Sequence, residues 1–290
     1  MNPLISVIIP TYNRAGFIQK AVLSVLHQTL EDFELLIIDD GSSDNSRDII
    51  LSIKDSRLKY YYHEPNHGVA FSRNEGIKRS QAGLLAFLDS DDTWEDQKLE
   101  TQYKAMEKHS EYLISHTEEK WYKSGRILNP RTIHRKHHGD IFEQSLKLCA
   151  ISMSTVMIKK ELFKRVGLFD EKLKVCEDYD MWLRVTSRFP VLLIPHVLTI
   201  KQGGHKDQIS QQYIGMDKCR IYSLAKLVES GILSDHKLKL TLDELDTKCD
   251  IYGKGCFKHG HEKEGIFFLN FSNQNKFNFE KINLSLKVKH

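Results

Sequence analysis

Three carboxylates, Asp89, Asp91 and Asp92, stand within four positions of one another where the apolar run Leu84–Leu88 ends, in the stretch FLDSDDTW. Like charges this close repel and raise each other's pKa, so the group needs a cation, a set of donors or water to relieve it. A hard divalent ion such as Mn²⁺ or Mg²⁺, held by carboxylate oxygens, would answer that need and could act there as a Lewis acid. The plainer reading is a set of acids capping a helix that begins near Glu95. A second pair, Asp39 and Asp40, closes the run Phe33–Ile38, where a carboxylate can accept hydrogen bonds from a base N–H or from ribose hydroxyls. There the competing reading is a turn plus helix cap in DDGSSDNS. A third group lies in EDYDMWLRV. Asp180 and Arg184 make an i,i+4 pair in that window, which leaves Asp178 without a structural reason.

Such side chains need a frame to bring them together. Short apolar runs at Ile5–Ile9, Phe33–Ile38, Leu58–Tyr62 and Leu84–Leu88 alternate with helical spacing over Phe17–His27, Asn45–Ile53, Val69–Arg79 and Glu95–Lys108. This is the pattern of strand–helix units in a mainly parallel sheet. Each run ends in a polar cluster: PTYNR, DDGSSD, HEPNHG and DSDD. Ligands of open α/β sheets bind beyond the carboxyl ends of the strands, so the clusters should converge on one crevice. After Tyr112 the alternation fades, and 124–140 reads as a long loop containing HRKHH, a solvated basic segment beside an acceptor groove or an anionic membrane surface. A strand and short helix are expected over Ser154–Asp170, a helix over Glu177–Phe189, and two short strands at Val191–Ile194 and Val197–Lys201. From Gln211 the spacing is mostly helical, with breaks at SGILSDHK and HGHE.

The chain has 290 residues, 40% hydrophobic and 28% charged, with a net charge of +3. That is ordinary for a globular protein and gives no reason to expect nucleic acid as the partner. No apolar stretch approaches the ~20 residues that span a bilayer, and no basic region precedes an apolar one at the N-terminus. A cytoplasmic protein with five reduced cysteines is the expectation.

Taken in order, SVIIPTYNR, LLIIDDGSSDNS, NHGVAFSRNEGI, FLDSDDTW and EDYDMWLRV resemble the successive motifs of family 2 glycosyltransferases. The resemblance covers about residues 6–210 and implies a GT-A fold: a Rossmann-like, mainly parallel sheet flanked by helices. In that frame residues 1–110 form the nucleotide-sugar half, 111–210 the acceptor half, and 211–290 a helical extension. It further implies an inverting transfer of one sugar from a nucleotide-diphosphate donor, UDP-sugar favoured, to a glycan or lipid-linked hydroxyl in cell-surface polysaccharide synthesis, with Mn²⁺ or Mg²⁺ as cofactor.

By the same resemblance Pro10, Thr11, Tyr12 and Arg14 line one wall of the donor site. Asp39, Asp40, Arg73, Asp89, Ser90 and Asp91 complete it, with Asp40 favoured for the base and Arg73 for the diphosphate. Asp91 or Asp92 meets the metal, with His205 as a further candidate ligand. Asp178 takes the general-base position, with Glu177 and Trp182 on the acceptor side and core packing the first role of Trp182. FLDSDDT also fits the nucleophile loop of haloacid-type phosphatases through Asp89 and Asp91, but 88 residues precede Asp89 here. A sugar-nucleotide-binding module without activity is the third reading. Residues 211–290 are left open between a lid, a dimer contact and a peripheral dock at the inner face of a membrane.

Overall fold

The structure is a computed structural model that describes residues 2–123, 125–128, 132–204, 213–274, 277–282, 284 and 286–288. Its chain divides into two compact units. The first comprises Met1–Asp140, Ile151–Glu171 and Phe189–His205; the second comprises Ile141–Ala150, Lys172–Arg188 and Lys206–His290. Residues 141–150 and 172–188, expected in the acceptor half, thus cluster with the C-terminal helices.

The first unit is built on one sheet of nine strands. Strands β1 (Ile5–Thr11), β2 (Phe33–Asp39), β3 (Leu58–Tyr62) and β4 (Leu84–Phe87) run parallel in the order β3-β2-β1-β4. Every residue of β1, β2 and β4 is buried, as expected for strands covered on both faces. Helices α1 (Ile18–Leu26), α2 (Ser46–Ser52) and α3 (Val69–Arg79) make the crossovers. The chain moves outward from β1 to β3 and then returns to place β4 on the other side of β1. That reversal opens a crevice between the carboxyl ends of β1 and β4. Helix α3 lies close to the sheet: a Cβ on Gly76 would come within 2.4 Å of the Ile8 side chain on β1.

Strand β5 (Thr93–Trp94) precedes α4 (Lys98–Lys108), which therefore starts three residues later than its spacing suggests. Beyond it the sheet becomes mixed. Strand β6 (Ile114–Lys123) forms a hairpin with β7 (Arg126–Leu128), where the sequence reads as loop. After α5 (Phe142–Lys147), which belongs to the second unit, β8 (Val156–Lys159) joins antiparallel to both β4 and β6, and α6 (Glu161–Val166) follows it. Helix α7 (Glu177–Thr186) is again in the second unit, and β9 (Leu192–Gly203) then runs parallel to β6 and antiparallel to β5. The two short strands expected in this region are one strand. Pro195, His196 and Val197 are exposed, and the register with β6 shifts there, so the break in apolar pattern marks a bulge.

His116, in the middle of β6, is fully buried. Its Nε2 lies 2.8 Å from the His137 carbonyl, which requires the proton on Nε2. Burial, and then the nearby Lys136 ammonium, push its pKa down to about 3, against a weaker upward pull from the His137 carbonyl and Glu119. The unfolded chain therefore binds a proton at this site near pH 6.5 that the folded chain refuses. Stability is fully present above that pH and falls by up to ~1.4 kcal/mol per pH unit as pH drops toward 3. Urea unfolding between pH 7 and 5 should show this slope, and His116→Gln should flatten it.

In the second unit, β10 (Tyr213–Ile214) pairs with β11 (Lys287–Val288), and α8 (Asp217–Glu229), α9 (Asp235–Lys258) and α10 (Glu262–Leu269) pack with α5 and α7. Their shared core includes Phe142, Tyr179, Leu183, Tyr222, Leu245 and Phe268. Helices α9 and α10 cross where Gly253 and Gly265 face one another; a Cβ on Gly265 would lie 3.0 Å from the Gly253 carbonyl oxygen. Among the described residues no helix is long and apolar enough to cross a membrane.

Candidate active site

The ends of β1 and β2 are tied together by short-range polar chemistry. The Asp40 N–H donates to the Thr11 carbonyl at 2.9 Å, and the Asn13 side-chain carbonyl accepts from the Ser43 N–H at 2.8 Å. Asn13 holds a left-handed φ of 51°, a conformation asparagine tolerates better than most residues. The Ser46 hydroxyl accepts from the Arg14 N–H, which fixes the chain just after Tyr12, itself 45% exposed. Pro10 is buried in β1.

Asp39 and Asp40 serve different ends. Asp39 accepts from the Ser42 N–H at 2.9 Å and from the Tyr60 hydroxyl at 2.7 Å. Burial, reinforced by that carboxylate, raises the Tyr60 pKa above the usual tyrosine range and keeps it a donor. Asp40 accepts from the His67 N–H at 3.0 Å and the Gly68 N–H at 2.6 Å, and its side chain holds the entry to α3. Gly68 has a φ of 105°, which a side chain would resist. Asp40, expected at the base, thus also positions this loop through its carboxylate. Two polar atoms at the strand ends are left over. Thr11 Oγ1 on β1 and His63 Nε2 just beyond β3 are buried with no hydrogen-bond partner among the described residues. Buried polar atoms in this state are uncommon in folded proteins and suit a ligand that completes them.

At the end of β4, Asp89 pairs with Arg73 of α3 at 2.9 Å. Arg73 is 4% exposed, which sets aside a simple surface charge. Its guanidinium also lies 5.6 Å from the centre of the Phe169 ring. Ser90 is buried and Asp91 part-exposed. Asp92 is 2% exposed and has both oxygens occupied: Oδ1 accepts from the Gln202 N–H at 3.0 Å and Oδ2 from the Ser154 hydroxyl at 2.6 Å. Burial raises its pKa, with Lys201 pulling the other way and Asp91 and Asp89 adding to the rise. Asp92, one of the two acids expected at the metal, thus ties the DSDD loop to β9 through both oxygens. His205 lies outside the described residues.

Sequence reasoning passed over the partners of these acids. Lys201 of β9 is held protonated, above the usual lysine range: burial lowers its pKa, and Asp92, Glu119, Asp89 and Asp91 outweigh that effect. Glu119 of β6 pairs with Lys136 at 3.0 Å in a nearly solvent-free setting. The Ser154 hydroxyl is a hub, donating to Asp92 and accepting from the Asp89 N–H at 3.1 Å, while its carbonyl accepts from the Trp94 indole at 2.7 Å. No motif marks Lys201 or Ser154, because each stands in an otherwise ordinary strand-like stretch. Ser154→Ala leaves a buried carboxylate and an amide short of a partner. A loss of ~1–3 kcal/mol is expected, measurable as a lower urea midpoint.

In the second unit Asp178 sits in the first turn of α7, part-exposed. It accepts from the Cys149 thiol at 3.2 Å and from the Tyr179 N–H at 2.7 Å. Asp180 is buried in ion pairs with Arg184 at 2.8 Å and Lys226 at 2.5 Å, a structural role that joins α7 to α8. Glu177 is 6% exposed. Trp182 is 1% exposed, so its ring packs in the core, and the expected stacking on an acceptor is corrected.

The glycosyl transferase family 2 model matches residues 6–167, more than half the chain. The chain belongs to glycosyltransferase family 2. An uncharacterized glycosyltransferase of Rickettsia conorii is 41% identical over 187 residues, a match that covers 63% of this chain and 30% of that protein. The chain thus spans less than a third of that longer relative. The Escherichia coli UDP-Glc:alpha-D-GlcNAc-diphosphoundecaprenol beta-1,3-glucosyltransferase WfgD is 36% identical over 186 residues, covering 63% of this chain and 69% of WfgD. Among solved structures, S. aureus TarS in complex with UDP-GlcNAc aligns with a TM-score of 0.71 and 16% identity, covering 99% of this chain and 96% of TarS. At that identity the likeness carries the fold: an α/β architecture of the GT-A type with C-terminal helices. The family match leaves the phosphatase reading without support.

Proposed function

We propose that this family 2 member transfers one sugar from a nucleotide-diphosphate sugar to a glycan or lipid-linked hydroxyl, with inversion at the anomeric carbon. The observation that carries the reading is the cluster at the β1/β4 switch point, where Asp89, Asp91 and Asp92 are arranged around Arg73 and Lys201. The unpartnered Thr11 and His63 atoms, at the ends of the two strands that flank β2, suit a nucleoside. Complexes of similar folds with UDP-GlcNAc, and the UDP-glucose donor in the WfgD name, make a UDP-sugar the favoured donor.

The residues present fit a divalent cation in one way. Among the described residues no three His, Cys, Asp or Glu side chains gather into a closed metal site. Mn²⁺ and Mg²⁺ at nucleotide sites are often held by one or two carboxylates plus phosphate oxygens, so a closed protein cage is not required. Asp92 is buried with a hydrogen bond on each oxygen, whereas Asp91 is part-exposed in the same loop and is the acid proposed to meet the cation. Bound there, the ion would act as Lewis acid toward the leaving diphosphate. Arg73 and Lys201 supply fixed positive charge to the same end.

In the transfer step the acceptor oxygen forms a bond to the anomeric carbon as the carbon–phosphate oxygen bond breaks on the opposite face. The acceptor proton passes to Asp178, whose position in the first turn of α7 leaves it part-exposed. Inversion is tested with water as the slow acceptor. Proton NMR of UDP-α-glucose or UDP-α-GlcNAc incubated with the protein and Mn²⁺ should show the β sugar first, before mutarotation. The α anomer first would overturn the single-displacement mechanism.

A further inference from the structure

The stretch 120–139 carries positive charge that the donor site does not use. Between Glu119 and Asp140 stand six Lys or Arg (Lys120, Lys123, Arg126, Arg131, Arg135 and Lys136) and three His, with no Asp or Glu. The net charge of the whole chain is only +3, so the remaining residues hold more acid than base and this excess is local.

The root of the segment is firmly anchored within the first unit. Lys136 is buried against Glu119 at 3.0 Å and donates to the Ser152 hydroxyl at 3.1 Å. The His137 carbonyl holds His116, and Gly139 exchanges two backbone hydrogen bonds with Val191 at 2.8 and 2.9 Å. The outer part is different. Every residue of β7 is exposed, and Ile127 and Leu128 stand 58% and 41% open to solvent, with Ile133 in the following turn at 57%. Lys120, Lys123, Arg126 and Arg135 are also exposed. Trp121 is braced by the His134 ring, with centroids 5.2 Å apart.

We propose that the β6–β7 hairpin and the turn after it dock the protein on an anionic lipid bilayer. In this arrangement Ile127, Leu128 and Ile133 enter the headgroup layer while Lys120, Lys123, Arg126 and Arg135 meet lipid phosphates. Charge complementarity selects this occupant. Basic side chains set among exposed aliphatic ones match an interface that is anionic outside and apolar beneath. A nucleic acid would reward the bases but leave three aliphatic side chains in water. The inference goes beyond the transferase reading, and its test uses no nucleotide.

The test is sedimentation of the full chain with vesicles of phosphatidylcholine alone or mixed with phosphatidylglycerol. Binding to the mixed vesicles only is expected, and it should weaken as salt rises from roughly 0.1 M to roughly 1 M, where the Debye length falls from ~10 to ~3 Å. Each basic side chain near an anionic surface contributes about fivefold in affinity, so Lys123→Gln with Arg126→Gln should weaken binding about 25-fold. Ile127→Ser with Ile133→Ser should cost about tenfold or more by removing the apolar part. All four positions are exposed, and unchanged urea midpoints would show that the variants fold. The proposal is overturned if the wild-type chain binds neither vesicle, if it binds both equally, or if both double variants bind as well as wild type. It is also overturned if light scattering without lipid shows a dimer that the apolar variant abolishes, since the face would then be covered by a second copy.

Discussion

Asp178→Asn should lower sugar transfer by about 10²–10⁴-fold, the range a positioned general base contributes, while leaving nucleotide affinity within about twofold. Asparagine keeps the size of the side chain and one acceptor oxygen for the Tyr179 N–H or the Cys149 thiol, both of which Asp178 now binds. What it loses is the ability to take a proton. The neighbouring acids offer no substitute: Asp180 is held by Arg184 and Lys226, and Glu177 is buried. Transfer rates under saturating donor, set beside calorimetric donor affinity, separate chemistry from binding. A variant with full activity would remove Asp178 from the mechanism, and one that lost both quantities together would make it a binding residue.

The second large effect is expected at Asp91, and its contrast with Asp92 gives the sharper test. Removing one member of a close charge pair costs roughly 2–4 kcal/mol, so Asp91→Ala should weaken Mn²⁺-dependent nucleotide binding by roughly 30- to 1,000-fold with little change in stability. Asp92→Ala should do the reverse in kind. It strips the Ser154 hydroxyl and the Gln202 N–H of their shared acceptor and leaves Lys201 with one less carboxylate. Its first symptom should be a lower unfolding midpoint. If the Asp91 variant is the unstable one and Asp92→Ala folds well but loses Mn²⁺ dependence, the two assignments are exchanged.

The parts of the fold legible in the sequence are those whose burial is two-sided and local. β1, β2 and β4 are predominantly apolar runs because both faces are covered, and α3 reads correctly from Val69 to Arg79. β6 escaped notice because Ser115, His116 and Thr117 are polar yet buried, and because Glu119 is withdrawn from solvent by an ion pair with Lys136, seventeen residues along the chain. β9 looked broken at Pro195 because a bulge is invisible until its partner strand is known.

The acids show the same limit. The types and spacing of Asp39, Asp40, Asp89, Asp91 and Asp92 disclose that something anionic gathers at the strand ends. Which of them faces a ligand depends on donors far along the chain. Asp40 is satisfied from His67 and Gly68, and Asp92 from Ser154 and Gln202, the last 110 residues away. Lys201 and Ser154 become visible only when β8 and β9 are laid into the sheet.

The most direct test is calorimetric titration of the protein with UDP, GDP, CDP and dTDP, each with and without Mn²⁺, repeated on Asp91→Ala and Asp178→Asn. One nucleotide, with UDP expected, should bind in a Mn²⁺-dependent way to the wild-type chain and to Asp178→Asn, and should lose that dependence in Asp91→Ala. A folded protein that binds none of the four, or one whose binding ignores both Mn²⁺ and the Asp91 substitution, would contradict a donor site at the end of β4.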